Sequence, residues 1–303
     1  MKKEFTRRDF LKITGALSGA LLIKPDTASA YKEFSGWPDA YGCLTDLSEC
    51  VGCRSCEKAC NEANSLPQPA IPFDEGSVFN EKRRPDARAF TVVNRFTDPR
   101  DPGKFIYRKI QCNHCNEPAC ASACPIHAYE KTPEGAVLYD PAKCFGCRYC
   151  MIACPFYVPA YDYESALEPK IVKCIMCYPR IKAGRLPACV EACPAGAITF
   201  GKRKDLINLA REKIMRNPQR YVNHIYGEHE AGGTSWMYIS SVPFEYLGFP
   251  TNIPKHPLIE EVKGFLGAVP VVFTVWPALF GMVYAAVKHR DELFRSEHRE
   301  VKK

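Results

Sequence analysis

Sixteen of the seventeen cysteines in this 303-residue chain fall into four motifs, and no other feature limits its folding so tightly. The motifs are Cys50-x2-Cys53-x2-Cys56-x3-Cys60, Cys112-x2-Cys115-x4-Cys120-x3-Cys124, Cys144-x2-Cys147-x2-Cys150-x3-Cys154 and Cys174-x2-Cys177-x11-Cys189-x3-Cys193. Thiolates two residues apart on a tight loop wrap three corners of an iron–sulfur cube, and the fourth cysteine, opening the next helical turn, reaches a different cube. The motifs therefore work in pairs, each finishing its partner's cluster, and the spacing predicts four 4Fe–4S clusters. Zinc would use paired Cys-x2-Cys knuckles with four ligands in all, which leaves the third closely spaced cysteine unexplained. Disulfides fit no better, because cysteines at i, i+3 and i+6 on one loop have no evident set of partners.

Cys43 is left over. It sits in Tyr41-Gly42-Cys43-Leu44-Thr45, an expected first strand, and reads as a small buried hydrophobe. His114, inside the second motif, reads as a packed loop residue, with tuning of a cluster through a hydrogen bond as the alternative; ligation is not expected, since the cysteine count already closes.

Composition agrees with a metal-filled interior. Hydrophobic residues make up 46% of the chain, a figure the cysteines inflate, and 25 prolines with 19 glycines demand much loop and turn. A disordered chain and an ordinary helical bundle are both poor fits. The net charge is +7, but residues 1–30 hold six basic and three acidic residues, which leaves +4 for the rest. Four cubes, each a dianion with its thiolates, would bring that remainder to about −4. The basic balance is thus no argument for nucleic acid. Lys109, Lys143, Arg148, Lys173 and Arg180 lie near the motifs and are candidates for offsetting cluster charge.

Both ends of the chain carry membrane signals. Thr6-Arg7-Arg8-Asp9-Phe10-Leu11-Lys12, an apolar run from Ile13 to Ile23 and Ala28-Ser29-Ala30 together form a twin-arginine export signal, with cleavage expected before Tyr31. That route carries folded, loaded proteins and so suits a cofactor-bearing chain. From Phe265 to Val287 run 23 uncharged residues, long enough to span a bilayer with some tilt. Six Lys and Arg follow the span (Lys288, Arg290, Arg295, Arg299, Lys302, Lys303) and two precede it (Lys255, Lys263). The positive-inside rule then puts the tail in the cytoplasm and the globular part in the periplasm.

Between the motifs, Ala136–Tyr139 and Ala197–Phe200 read as short strands after turns, and Trp236–Ile239 as another. Asp205 to Arg216 reads as an amphipathic helix with Leu206, Leu209 and Ile214 inward. A 51-residue, proline-rich stretch separates motifs one and two. No nucleophile-plus-base constellation, glycine-rich nucleotide loop or open metal position is evident, which argues against an enzyme in its own right.

Several stretches resemble a known family: Cys147-Arg148-Tyr149-Cys150-Met151-Ile152-Ala153-Cys154-Pro155, Pro159-Ala160-Tyr161-Asp162-Tyr163, and Leu186 to Ala197 with its Cys189-Val190-Glu191-Ala192-Cys193-Pro194 core. They are similar to the four-cluster ferredoxin-type electron-transfer subunits of membrane-bound respiratory oxidoreductases. The segment Ile225–Thr234 and Val242-Pro243-Phe244 narrow the likeness to iron–sulfur subunits of periplasm-facing nickel–iron hydrogenases. The formate dehydrogenase beta subunits, partners of molybdopterin enzymes, are the alternative.

The resemblance implies an α+β fold of two bacterial-ferredoxin-like dicluster domains, one inserted in the other, plus a C-terminal transmembrane helix. Its expected divisions are a signal peptide at 1–30, a four-cluster region at 31–200 with the inserted domain at about 105–160, an extension at 201–262, a membrane helix at 263–289 and a cytoplasmic tail at 290–303. It implies that cluster one takes Cys50, Cys53, Cys56 and Cys193, and cluster two Cys174, Cys177, Cys189 and Cys60. Cluster three takes Cys112, Cys115, Cys120 and Cys154, and cluster four Cys144, Cys147, Cys150 and Cys124. Implied partners are hydrogenase small and large subunits, an integral membrane quinone-reactive subunit, membrane lipid and the twin-arginine export machinery. The implied place is the inner membrane, crossed once.

Overall fold

A computed structural model of the chain describes residue 37, residues 39–164 and residues 170–300, without the side chains of 262–267 and 296–300. The export signal and cleavage site expected at 1–30 lie outside the described residues. The architecture mixes short helices with small sheets, and its organising element is strand β1 (Tyr41–Asp46). Strand β8 (Ile198–Lys202) pairs antiparallel along one side of β1, with Cys43 opposite Phe200. Strand β9 (Trp236–Ile239) pairs parallel along the other, with Cys43 opposite Trp236. A parallel pair needs a long crossover; here residues 47–235 provide it. The expected strands at Ala197–Phe200 and Trp236–Ile239 are both present. The second of these joins residues beyond 200 to the same sheet as β1, so the 201–262 extension shares a core with the first motif.

The alternation of β1 sorts two cores. Cys43 faces one side, packing with Cys56, Cys189, Trp236 and Tyr238. Leu44 faces the other, packing with Met237 and Ile239 under helix α6 (Arg203–Arg216). That helix buries Leu206, Ala210 and Ile214, each one turn from the next, while Leu209 sits half-buried beside them. Cys43 is fully buried, and burial pushes its thiol well above the usual range.

An ion-paired clip fastens α6 to β1. The buried Asp46 carboxylate accepts hydrogen bonds from Lys213 Nζ at 2.9 Å, the Tyr221 hydroxyl at 2.8 Å and the Ser48 hydroxyl at 2.6 Å. Burial alone would raise its pKa; the bonds from Ser48, Lys213 and Tyr221 outweigh that and hold it below the usual carboxylate range. A lowered folded-state pKa gives stability that is present above the unfolded value, about 3.9, and lost as pH falls below it. Asp46→Asn is expected to cost about 1.5–3 kcal/mol near neutral pH, the range for bonds to a charged group. Chemical denaturation should show that deficit shrinking as pH falls from about 5 to about 3.

Three further hairpins flank the motifs. Strands β2 (Val92–Asp98) and β3 (Asp101–Ile110) form the longest, with a bulge at Thr97/Asp98. Strands β4 (Tyr129–Lys131) and β5 (Val137–Tyr139) form the second, and β6 (Ala160–Tyr161) with β7 (Ile171–Val172) the third. The C-terminal helix α7 (Ile259–Glu300) is 42 residues long, and the apolar stretch Ala268–Arg295 within it is long enough to cross a membrane. Pro270 and Pro277 lie inside it without ending it. The helix continues through the expected tail at 290–303 as far as Glu300. At 1.5 Å per residue it reaches ~60 Å, about twice a bilayer's hydrocarbon core.

Candidate metal centre

Each motif begins with the same backbone device. The residue two after the first cysteine takes a left-handed conformation: Gly52 (φ 70°), His114 (φ 48°), Gly146 (φ 81°) and Met176 (φ 57°). In that conformation its N–H turns back on the first sulfur. His114 N–H reaches Cys112 Sγ at 3.4 Å, Gly146 reaches Cys144 Sγ at 3.3 Å and Met176 reaches Cys174 Sγ at 3.3 Å; Gly52 donates likewise to Cys50. A Cβ at Gly52 would strike the Tyr107 ring, so glycine is required there by space as well as by φ. Such geometry is costly for non-glycine residues and persists where the surroundings demand it.

After this loop a short helix starts: α1 (Ser55–Ala63), α2 (Ala119–Ser122), α3 (Tyr149–Ala153) and, in motif four, α4 (Tyr178–Lys182) and α5 (Ala188–Glu191). Pro125, Pro155 and Pro194 follow the last cysteine of three motifs, and each of those helices ends at or before that cysteine, as the pre-proline restriction requires. Asn61 stands in that place in motif one, and α1 runs on to Ala63. The last cysteines also collect donors four residues on: Ala128 N–H on Cys124 Sγ at 3.3 Å, Val158 N–H on Cys154, and the Asn64 side-chain amide on Cys60 Sγ at 3.6 Å.

The helices carry cysteines to two places at once. Helix α1 packs on α5, and α2 on α3. Cys50, Cys53, Cys56 and Cys193 line one cavity. Cys60, Cys174, Cys177 and Cys189 line a second. Cys124, Cys144, Cys147 and Cys150 line a third. Cys112, Cys115, Cys120 and Cys154 are mutual neighbours: burial first, then the thiols of Cys154, Cys112 and Cys120, push Cys115 well above the usual range. Cys56 and Cys60, one turn apart on α1, thus serve different sets, and so do Cys189 and Cys193 at α5.

The donor sets fit iron–sulfur cubes and not single ions. Among the described residues, no three His, Cys, Asp or Glu side chains converge as a lone metal ion needs, where zinc would draw sulfurs to about 2.3 Å. Instead four sulfurs surround a space. Burial pushes Cys50 up to about 11 and Cys60 up to about 12; thiolates here need a cationic centre to take the proton's place. The buried Tyr129 hydroxyl adjoins the Cys150 sulfur. Within the described residues His114 Nε2 is buried without a hydrogen-bond partner; Nδ1 accepts the Val137 N–H at 2.9 Å, which leaves the proton on Nε2.

The five basic residues near the motifs separate. Lys143 is exposed and pairs with Asp140 at 3.6 Å, and Arg180 pairs with Glu191. Arg148 lines the third cavity with its guanidinium over the Tyr161 ring. Lys109 and Lys173 are buried, 2% and 3% exposed. Lys173 donates to the carbonyls of Val137 and Cys174. A further lysine, Lys131, is not evident from proximity to a motif in sequence. It donates to the His114 and Gly135 carbonyls at 3.0 and 2.7 Å and to the Ser235 hydroxyl at 3.1 Å. Burial lowers it to about 7 against the opposing pull of Cys115 and Cys112. Strand alternation was the available signal, since Lys131 shares its side of β4 with the buried Tyr129.

Comparison with known proteins follows the same lines. Residues 104–203 match the model of a 4Fe-4S dicluster domain. A protein of Nitratidesulfovibrio vulgaris is 48% identical over 98% of this chain and 81% of its own length. The hydrogenase-2 operon protein HybA of Escherichia coli O157:H7 is 34% identical over 80% of this chain and 83% of its own. The iron-sulfur subunit of the nitrate-inducible formate dehydrogenase of Escherichia coli K12 is 34% identical over 72% of this chain and 73% of its own.

Proposed function

Because the chain belongs to the family of iron–sulfur electron-transfer subunits that includes HybA and the formate dehydrogenase iron-sulfur subunits, we propose that it relays electrons between a periplasmic hydrogenase and a membrane quinone-reactive subunit. The proposed path is four 4Fe–4S clusters on the sixteen motif cysteines, in the sets 50/53/56/193, 174/177/189/60, 112/115/120/154 and 144/147/150/124. The observation that carries this reading is the lining of each cavity by three cysteines of one motif and the last cysteine of another. The second pair of sets then forms a dicluster unit, about 105–160, inserted within the first.

Cubes of this kind pass single electrons, and a row of them divides a long gap into short steps. The chain's own residues hold sixteen sulfurs and aim N–H groups at several of them; seven of the motif cysteines are buried and seven half-buried. Cys53 and Cys147 are the two exposed cysteines, and they belong to sets one and four. Val51 beside the one, and Phe145, Tyr149 and Ile152 beside the other, are exposed apolar side chains. Exposed sulfur rimmed by apolar surface suits the ends of a relay, where partner subunits dock. The role is that of a non-catalytic subunit, with helix α7 anchoring it to the inner membrane, the globular part in the periplasm and the C-terminus in the cytoplasm. Six basic residues after the span against two before it support that orientation.

The likeness to formate dehydrogenase subunits favours a second reading, in which a molybdopterin enzyme supplies the electrons. Mild solubilisation and purification of the complex through this chain separates the two. Hydrogenase small and large subunits with an integral membrane subunit are expected to co-purify; a molybdopterin subunit in their place would support the alternative.

A further inference from the structure

Lys109 lines both of the first two cavities. It lies on β3, opposite Val93, and it is buried to 2% exposure. Its ammonium group donates to the Thr91 hydroxyl and the Gln111 side-chain carbonyl, each at 2.8 Å, and stands 4.5 Å from the centre of the Trp236 ring. All three partners are neutral, and no described carboxylate pairs with it. A buried ammonium without a counter-ion is strongly disfavoured. The acidic groups that line the two cavities with Lys109 are sulfurs: Cys50, Cys53, Cys56 and Cys193 in the first, and Cys60, Cys174, Cys177 and Cys189 in the second.

We propose that the Lys109 ammonium is a counter-charge shared by the clusters of sets one and two, and that it raises the reduction potential of both. Reduction adds one negative charge to a cluster, so a fixed cation at its edge favours the reduced form, and the low dielectric of a buried site strengthens the effect. The tethers explain why the charge stays between the two cavities rather than snorkelling to solvent. Thr91 and Gln111 hold the nitrogen, and Gln111 is itself held by donating to the Tyr238 hydroxyl at 2.6 Å. Lys131 and Lys173 line neither cavity, and Arg54 lines only the first and is paired with Glu57 at 3.1 Å, so Lys109 is the basic residue common to both.

This inference rests on the four-cluster reading, and the test separates the two. The full chain in its solubilised complex, the Lys109→Met variant and the Lys109→Arg variant are titrated anaerobically, with the reduced clusters followed by paramagnetic resonance and iron counted per chain. In Lys109→Met, two of the four centres are expected to shift at least tenfold toward the oxidised form at fixed potential, which is about 59 mV for a one-electron couple. The other two should stay in place, and Lys109→Arg, which keeps the charge, should restore most of the shift. Four unmoved centres, or four that move equally, would overturn the shared role of Lys109 while leaving the clusters standing. If Lys109→Met loses iron, Lys109→Arg decides: full iron with near-parental potentials supports a charge role, and iron loss there too overturns it in favour of packing. A parent protein with no reducible centres would sink the cluster reading itself.

Discussion

Cys60→Ala is expected to remove a cluster whose other three ligands lie in the fourth motif. Cys60 sits in the first motif, yet it lines the cavity of Cys174, Cys177 and Cys189. Cys56, four residues earlier on α1, lines the cavity of Cys50, Cys53 and Cys193. Four residues advance a helix by about 6 Å with little rotation, so one short helix serves two adjacent sites. The Cys60→Ala protein should lose about four of its sixteen or so irons per chain, one per corner of a cube. Cys53→Ala should lose a different four, with a different resonance signal missing. If the two variants instead lacked the same centre, each motif would be holding its own cube and the crossed pairing would be wrong.

Charging the apolar helix is the second large effect. Phe273 and Leu279 are exposed on α7, inside the stretch long enough to cross a membrane. An arginine near the centre of a spanning helix costs about 2.5–3.5 kcal/mol on insertion scales. The double variant Phe273→Arg, Leu279→Arg should therefore lose membrane insertion, since the combined cost of about 5–7 kcal/mol is comparable to what a marginally apolar span contributes. Fractionation with an alkaline carbonate wash measures this: the parent stays with the membrane and the variant appears in the supernatant. A variant that resists the wash would mean that α7 is held by protein contacts and does not span.

Much of this molecule was legible in its sequence because metal ligation imposes fixed spacings. The four motifs, the buried leftover Cys43 and the strands at 137–139, 198–202 and 236–239 all follow from spacing, alternation and turn residues. In the structure the proline after the last cysteine limits three of the short helices, and its absence at Asn61 accounts for the longer α1. What sequence does not carry is the meeting of distant segments. That Trp236–Ile239 forms the third strand beside β1 depends on a parallel pairing across nearly 190 residues. Lys109 stands out in the chain as a candidate counter-charge, but its burial between two cavities, and the burial of Lys131, depend on how hairpins pack against the motifs. The unpartnered Nε2 of His114 and the Tyr129 hydroxyl beside Cys150 are likewise revealed only by the three-dimensional arrangement.

If sixteen thiolates hold inorganic cubes, the full chain purified anaerobically is brown. Iron and acid-labile sulfide analysis should then find about sixteen of each per chain, four for each cube, and low-temperature paramagnetic resonance after dithionite reduction should show interacting reduced clusters. A colourless protein without labile sulfide, or one holding zinc at the cysteines, would rule the cubes out.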